Sequence, residues 1–479
     1  MDKRNIISNK SKIKILFLSA EVTPLAKVGG LGDVAGALSK ALAKLGLDIR
    51  ICLPFYGLID QKKYPAKKII SQLTVPVGDT NEIIDVYQTN LPNTKIPIYL
   101  IKNNFFNPKK IYSGGRIMLD GKYTRQPDDL NRFAFFTLAA LATAKKLNFQ
   151  PGVVHANDWH TALAADFIKT LNQQNNFFAK TKTLYTIHNL ANQGLTKGKN
   201  YMAEGVLNSD LVNTVSPTYA KEILTKEYGA GLEKILIKRK KQLSGILNGI
   251  DTDFFNPATD KFIKRHYSVR SLAAKSTNKT ALQSQLGWPR NKNTALVGLV
   301  TRFVRQKGVD LITEKFSRLN CQFIFLGAGE KKYEDALLNL AKKYPRQFSV
   351  KIKFDERLAH EIYAASDIFL VPSRFEPCGL TQMIAMRYGS VPVVRLTGGL
   401  ADTVNKKNGF TFKKFTASEF YKILSQALKI YYEKPKAWQQ LKLSGLKQNF
   451  SWDKSAKQYL KLYRKPRCFR HTLLAVLIS

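Results

Sequence analysis

Short apolar runs alternate with amphipathic stretches almost from end to end of the chain, and this alternation constrains the fold more than any other feature. IKILFLSA is followed by GDVAGALSKALAKLG, ending at Gly46, and then by DIRICLP. PGVVHAN with TALAADFIKTL, then KTLYTIH, then LVNTVS with PTYAKEIL continue the series. TALVGLV, CQFIFLG, FSVKIKF, DIFLVPS and SVPVVRL extend it, most with a helical pattern behind them. Strands of about four to eight residues alternating with helices predict an α/β fold with parallel, doubly wound sheets. Their near-continuous apolar character fits strands buried on both faces.

The chain has 479 residues, more than one core usually organises, so two domains are expected. In GILNGIDTDFFNPATD, Gly245, Asn248, Gly249 and Pro257 interrupt the alternation, which places the boundary near residue 250. A polar, weakly patterned stretch runs from Lys261 to Asn293 before a fresh strand–helix series begins. SWDKSAKQYLKLY carries one last helical pattern, and the remainder, RKPRCFRHTLLAVLIS, has no evident place in the fold.

Cys52, Cys321, Cys378 and Cys468 are scattered without a C-x-x-C pair, which fits a reducing, cytoplasmic setting. The basic, briefly apolar start leads straight into a glycine-rich loop and reads as a first strand rather than a signal peptide. No run reaches the roughly 18 apolar residues of a membrane span. The formal net charge is +41. Such a balance attracts polyanions without specificity, whereas lysines dispersed in short pairs also read as a solvated surface.

Nearly every unusual polar or glycine cluster falls just after an apolar strand, where open parallel sheets bind ligands. The first is Lys27-Val28-Gly29-Gly30-Leu31-Gly32-Asp33, whose glycines and following helix suit a phosphate or a plain tight turn. The second joins His155-Ala156-Asn157-Asp158-Trp159-His160 to His188-Asn189, suited to sugar hydroxyls; the H-x4-H spacing is not a zinc motif. The third is Arg302 with Lys307, expected at a helix N-terminus, where an anion would have to offset their opposition to the dipole. Arg305, between them, is expected to point elsewhere. The fourth is Ser373 to Gln382: Glu376 for hydroxyls or positive charge, then Cys378, Gly379, Leu380 and Thr381 beside a helix start. A helix cap is the plainer alternative for Glu376, and Cys378 lacks a neighbouring histidine to make it a nucleophile. Thr397 to Thr403 repeats the logic at the next strand end.

Together these phrases resemble the bacterial glycogen synthase and plant starch synthase family. KVGGLGDV, HANDWH, TIHNLANQG, NTVSPTYAKEI, GILNGID, RFVRQKG, PSRFEPCGLTQ, GGLADTV and the late SW occur in family order and cover most of residues 13 to 463. The resemblance implies a GT-B architecture, two Rossmann-like domains with parallel sheets facing across a deep cleft. It implies an N-terminal acceptor and catalytic domain over 1–250, a nucleotide-sugar domain over 251–450, a helix at 451–465 returning to the first domain, and a tail at 466–479 without a family counterpart. It implies a hexosyltransferase passing glucose, with retention, from ADP-glucose to the non-reducing end of an α-1,4-glucan such as glycogen. No metal or other cofactor, nucleic-acid partner or transmembrane segment is expected.

Residue by residue, the resemblance implies nucleotide-sugar binding by Lys27 in the loop of Gly29, Gly30 and Asp33. Arg302 and Lys307 match the pair that neutralises the diphosphate, and Glu376 matches the active-site glutamate. Asp158 and His188 match positions near the transferred glucose, and Tyr112 a tyrosine near the adenine. Asn189, Asn248, Cys378, Gly379, Leu380 and Thr381 complete the implied substrate contacts. The segment between Gly194 and Asn200 is shorter than in most members, Ala203 stands where many have lysine, and the stretch after GGLADTV is abbreviated. These departures bear on acceptor binding rather than on the donor pocket. The rival enzyme is another retaining GT-B transferase with an acidic or membrane-surface acceptor; the rival of another class is a polyanion-binding protein.

Overall fold

The computed structural model describes residues 12–107, 109–112, 118–119, 122–123, 129–196 and 198–467. The chain divides into two compact units, one of Met1–Thr214, Ile223–Ile246 and Asp453–Ser479, the other of Val215–Glu222 and Leu247–Trp452. Sequence reasoning assigned the whole of 1–250 to one domain. The helix Pro217–Glu222 instead belongs to the second unit, where Thr218 donates through its amide and hydroxyl to Asp402 at 3.0 and 2.6 Å. The helix Trp452–Arg464 packs in the first unit, with Tyr463 Oη 2.9 Å from His155 Nδ1 and Asn213 donating to Tyr459 Oη. Residues 1–11 and the tail from 468 onward, with Cys468, lie outside the described residues.

The first unit is built on β1 (Lys14–Leu18), β2 (Asp48–Pro54), β3 (Lys67–Val77), β4 (Thr80–Asn90), β5 (Pro97–Lys102), β6 (Val153–Asn157), β7 (Lys182–Ile187), β8 (Leu211–Thr214) and β9 (Leu243–Gly245). They form one sheet in the order β9-β8-β7-β6-β1-β2-β5-β4-β3. The register sets Phe17 beside Ile51 on one side and His155 on the other. β9 to β5 are parallel, whereas β4 and β3 extend the edge as an antiparallel hairpin. A sheet parallel throughout was expected. β3 buries only two of its eleven residues, so it carries no continuous apolar run to announce it.

The second unit carries β10 (Leu296–Val300), β11 (Gln322–Gly327), β12 (Phe348–Ile352), β13 (Ile368–Val371), β14 (Val391–Arg395) and β15 (Phe410–Phe412), all parallel, in the order β12-β11-β10-β13-β14-β15. This is the doubly wound 3-2-1-4-5-6 arrangement, whose strand order reverses between β10 and β13. One core, including Leu296, Ile324, Ile362 and Phe369, lies on one face of the sheet; another, including Val297, Phe323, Phe325 and Phe420, lies on the other. Alternate residues of β10 and β11 supply the two cores, as the two-residue strand period requires. Within the weakly patterned stretch, Lys275–Gln285 forms a helix that buries Lys275, Asn278, Lys279, Leu282 and Gln283. Its inward face has helical spacing but mostly polar residues, so hydrophobic periodicity misses it. Among the described residues no helix is long and apolar enough to cross a membrane.

Candidate active site

In the first unit the strand order reverses between β1 and β6, and the first two sequence clusters are the loops that follow these strands. The glycine loop is held from within. Glu21, 3% exposed, takes the amides of Val28 and Gly29 on Oε2 at 2.7 and 2.8 Å and the Tyr112 hydroxyl on Oε1 at 2.5 Å. The sequence suits these amides to a phosphate or to a plain tight turn; a buried carboxylate of the protein occupies two of them. Sequence reasoning passed over Glu21, whose only signal was an acid directly after an apolar strand. Lys27 pairs with Asp33 at 2.7 Å, both about a third exposed. Gly29 and Gly30 face open space where a side chain would begin, whereas a Cβ on Gly36 would lie 2.7 Å from the Thr23 carbonyl oxygen. The Tyr112 ring stacks on His160 with centroids 5.2 Å apart.

Asp158 follows β6 with φ +53° and ψ −176°, a region that side-chain-bearing residues rarely enter. Its Oδ1 accepts the amides of His188 at 2.7 Å and Asn189 at 3.3 Å. Burial pushes the Asp158 carboxyl up to about 7, against the downward pull of these two amides. Burial holds His188 down at about 3, so its imidazole is neutral. The Asn157 amide group donates to the Leu18 carbonyl, so its oxygen accepts from His188 Nε2–H at 2.9 Å and leaves Nδ1 as the acceptor. The Asn189 side chain closes its own turn by accepting the Ala191 amide. His155 points away from this loop, towards Tyr463 and Thr186.

In the second unit the loops after β10 and β13 flank the strand-order reversal. The expected helix behind RFVRQKG is absent; 3-10 turns at Arg305–Lys307 and Val309–Leu311 follow β10 instead. Gly308 sits at φ +69° with its Cβ position 2.0 Å from the Pro372 carbonyl oxygen, so no side chain fits there. Arg302 and Lys307 therefore do not stand at the N-terminus of an α-helix and oppose no helix dipole. Lys307 meets Glu376 Oε2 at 2.6 Å, with side chains 17% and 9% exposed, and Ser373 donates to the same oxygen at 2.8 Å. Glu376 is thus an ion-pair partner and not a helix cap. Its Oε1 and the exposed Arg302 guanidinium have no partner among the described residues. Arg305 lies in the field of Glu330 instead.

The helix Thr381–Arg387 begins without a side-chain cap at Leu380. Gln382, fully buried, donates to the carbonyls of Cys378 and Gly379 and so fixes the turn. Among the described residues the amides of Gly379, Leu380 and Thr381 have no acceptor. The next turn differs: Glu222 takes the Gly398 amide at 3.0 Å and the Thr397 hydroxyl. The Gly398 turn is thus closed from within, whereas the amides of Gly379, Leu380 and Thr381, like those of Gly30, Leu31 and Gly32, have no acceptor among the described residues. Burial pushes the Cys378 thiol up to about 12, and the Asn248 amide donates to its sulfur. Asn248 itself is buried, and its side-chain oxygen has no partner among the described residues. Among the described residues no three His, Cys, Asp or Glu side chains gather as metal ligands.

Residues 14–238 match the starch synthase catalytic domain, and residues 279–442 match the glycosyl transferases group 1 domain. The chain is 41% identical to a glycogen synthase of Thermotoga petrophila over 95% of this chain and 99% of that one. It is 42% identical to a glycogen synthase of Geotalea daltonii, covering 94% and 98%. It superposes with a TM-score of 0.85 and 33% identity on the catalytic domain of starch synthase IV from Arabidopsis thaliana bound to ADP and acarbose, covering 95% of this chain and 99% of that one. By sequence over 95% of its length, and by the GT-B fold of its two units, the chain belongs to the glycogen synthase and starch synthase family of glycosyltransferases.

Proposed function

We propose that the protein transfers glucose from ADP-glucose to the non-reducing end of an α-1,4-glucan, with retention and without a metal ion. The observation that carries this reading is the site at the β10/β13 reversal, where one ammonium, one unpaired guanidinium and a turn of open amides accompany Glu376. A departing nucleoside diphosphate develops negative charge, and fixed cations and amides stabilise it most where they need not reorganise. Arg302, Lys307 and the amides of Gly379, Leu380 and Thr381 take the diphosphate. Glu376 Oε1 takes a hydroxyl of the glucose, while Oε2 stays on Lys307 and Ser373.

The base is assigned to Phe354, which sequence reasoning did not single out. It follows β12 on the same sheet edge and is 87% exposed. β12 lies two strand spacings from β10, about 10 Å, a suitable span from diphosphate to base. An aromatic face offered to solvent is a ready stacking platform. In the first unit, Asp158 and His188 recognise sugar hydroxyls, His188 through its free Nδ1. Lys27 with Gly29 and Gly30 contributes to the nucleotide sugar, and Tyr112 and Asn189 shape their surroundings. The buried free thiols Cys52, Cys321 and Cys378 suit a reducing cytoplasm.

The test is incorporation of labelled glucose into glycogen from ADP-glucose and from UDP-glucose, with and without EDTA, at two salt concentrations. The expected result is EDTA-insensitive incorporation, faster from ADP-glucose, in α-1,4 linkages. Lack of incorporation from both donors overturns the reading, and transfer to anionic lipid acceptors instead of glycogen establishes the rival transferase.

A further inference from the structure

Two of the segments that link the units, after Ile246 and before Asp453, run side by side within the second unit. The Ile250 amide donates to the Phe450 carbonyl at 2.8 Å, and Ile250 and Ser451 form a parallel bridge. Gly249 permits this approach, since a Cβ there would lie 2.7 Å from the Trp452 nitrogen. Beside the paired segments opens a cavity of about 350 Å³, whose lining includes Thr252, Arg387, Lys447, Asn449 and Ser451. None of these residues belongs to the donor site.

The lining contains two cations and no carboxylate. Arg387 donates through Nε to the Phe255 carbonyl, and its two terminal nitrogens have no acceptor among the described residues. Lys447 enters no ion pair there. The Ser451 hydroxyl is buried without a hydrogen-bond partner among the described residues. Asn449 accepts the Ser451 amide on its oxygen, which turns its amide nitrogen outward as a further donor. A buried hydroxyl without a partner costs free energy, and a site rich in donors and lacking acids selects an anion. A guanidinium fork beside a compact ammonium suits tetrahedral phosphate in particular. The volume falls in the range of small-ligand sites, about 300–1,000 Å³.

We infer that the cavity between the Ile250 and Ser451 segments binds a phosphate group, either inorganic phosphate or a small phosphomonoester. Arg387 and Lys447 neutralise it, and Ser451 and Asn449 orient it. A bound phosphate then braces both linking segments together.

The test uses the full chain carrying both Arg302→Ala and Lys307→Ala, which removes the two cations of the donor site and so weakens phosphate binding there. Calorimetric titration with inorganic phosphate, and separately with glycerol 3-phosphate, is expected to find one site. Arg387→Gln and Lys447→Gln should each weaken it about tenfold or more, and Ser451→Ala by a few-fold. Amide hydrogen exchange at 249–252 and 449–452 should slow with phosphate only when the pocket is intact. Lys447 is exposed, so Lys447→Gln keeps the test decisive if Arg387→Gln does not fold. Unchanged binding in the folded pocket variants overturns the proposal, as does equal displacement by chloride at matched ionic strength, which marks the diffuse lysine surface. Lack of phosphate binding up to about 20 mM overturns it as well.

Discussion

Lys307 and Glu376 form an ion pair of 2.6 Å between the loops that follow β10 and β13, with Ser373 hydrogen-bonded to the same carboxylate oxygen. The carboxylate keeps the ammonium in place, and on the proposed function this is preorganisation for the diphosphate. Glu376→Gln retains acceptor and shape and should leave the melting temperature within a few degrees. Its turnover should fall by roughly 100-fold to 1000-fold, the usual loss when one fixed electrostatic group is removed. Lys307→Ala should lower turnover by a similar factor and reduce stability somewhat more, because it strands a buried carboxylate. Initial rates alongside thermal melts check both; near-normal turnover in either variant rejects the assignment.

The glycine loop separates residues needed for folding from residues needed for binding. At Gly36 an added methyl meets the Thr23 carbonyl oxygen at 2.7 Å, so Gly36→Ala should destabilise the first unit by about 1–3 kcal/mol, as overpacking does. At Gly30, the first residue of the helix Gly30–Lys44, the same methyl meets nothing within 4 Å. Gly30→Ala should therefore leave stability unchanged or raise it by up to about 1 kcal/mol. It should nonetheless raise KM for the nucleotide sugar, because a ligand that approaches this backbone meets the new methyl. Urea melts and donor-saturation curves on the two variants distinguish the roles. An unchanged KM in Gly30→Ala removes the loop from the donor site.

Which features were legible in the sequence follows from how each announces itself. Strands such as DIRICLP and DIFLVPS, buried on both faces, are visible as apolar runs and fix the doubly wound class. The loops that carry Asp158, Lys307 and Glu376 were found because they follow such strands. The helix Lys275–Gln285 escaped notice because it buries lysines: Lys279 pairs with Asp367 at 2.7 Å, and Lys275 donates to the carbonyls of Tyr363 and Ala364. The polar partners are supplied by residues about ninety positions away, which no local period can reveal. Glu222 likewise lies far from the Gly398 amide it accepts, whereas Glu21 lies only one turn of loop before the amides of Val28 and Gly29. Each occupies glycine-turn amides, Glu21 those of Val28 and Gly29 and Glu222 that of Gly398, and only the three-dimensional pairing separates these from the amides left open at Gly30 and Gly379 among the described residues.

Cys378 lies in the richest stretch of the site yet has no nucleophilic role. Its thiol is buried and pushed up to about 12, so it stays protonated at any working pH. A thiol attacks as thiolate, and among the described residues no histidine pairs with this one. Cys378→Ala should keep turnover within about tenfold of the parent chain, far from the effect of Glu376→Gln. Iodoacetamide at pH 8 should leave the folded protein active. Rapid inactivation that the Cys378→Ala variant escapes would contradict this assignment.

Asp158 links stability and activity with opposite signs. Its folded value of about 7 lies above the ordinary 3.8, so the folded chain holds this proton more tightly than the unfolded chain. The ionised carboxylate therefore destabilises the fold; the penalty is absent below about pH 4, grows between pH 4 and 7, and is complete above 7. Asp158→Asn keeps an oxygen for the amides of His188 and Asn189, and asparagine tolerates positive φ. The variant should gain stability on the order of 2–4 kcal/mol at pH 8.5 and clearly less at pH 5. If Asp158 recognises the sugar as proposed, turnover of the parent should rise with pH through an apparent value near 7 as this carboxylate ionises. His188, held near 3, contributes no limb in this range. In Asp158→Asn the limb should vanish and the plateau should drop by about 100-fold. Melts and pH–rate profiles on the same preparations decide the matter: a limb that persists in the variant assigns it to another group, and a variant no more stable at pH 8.5 than at pH 5 refutes the buried-charge account.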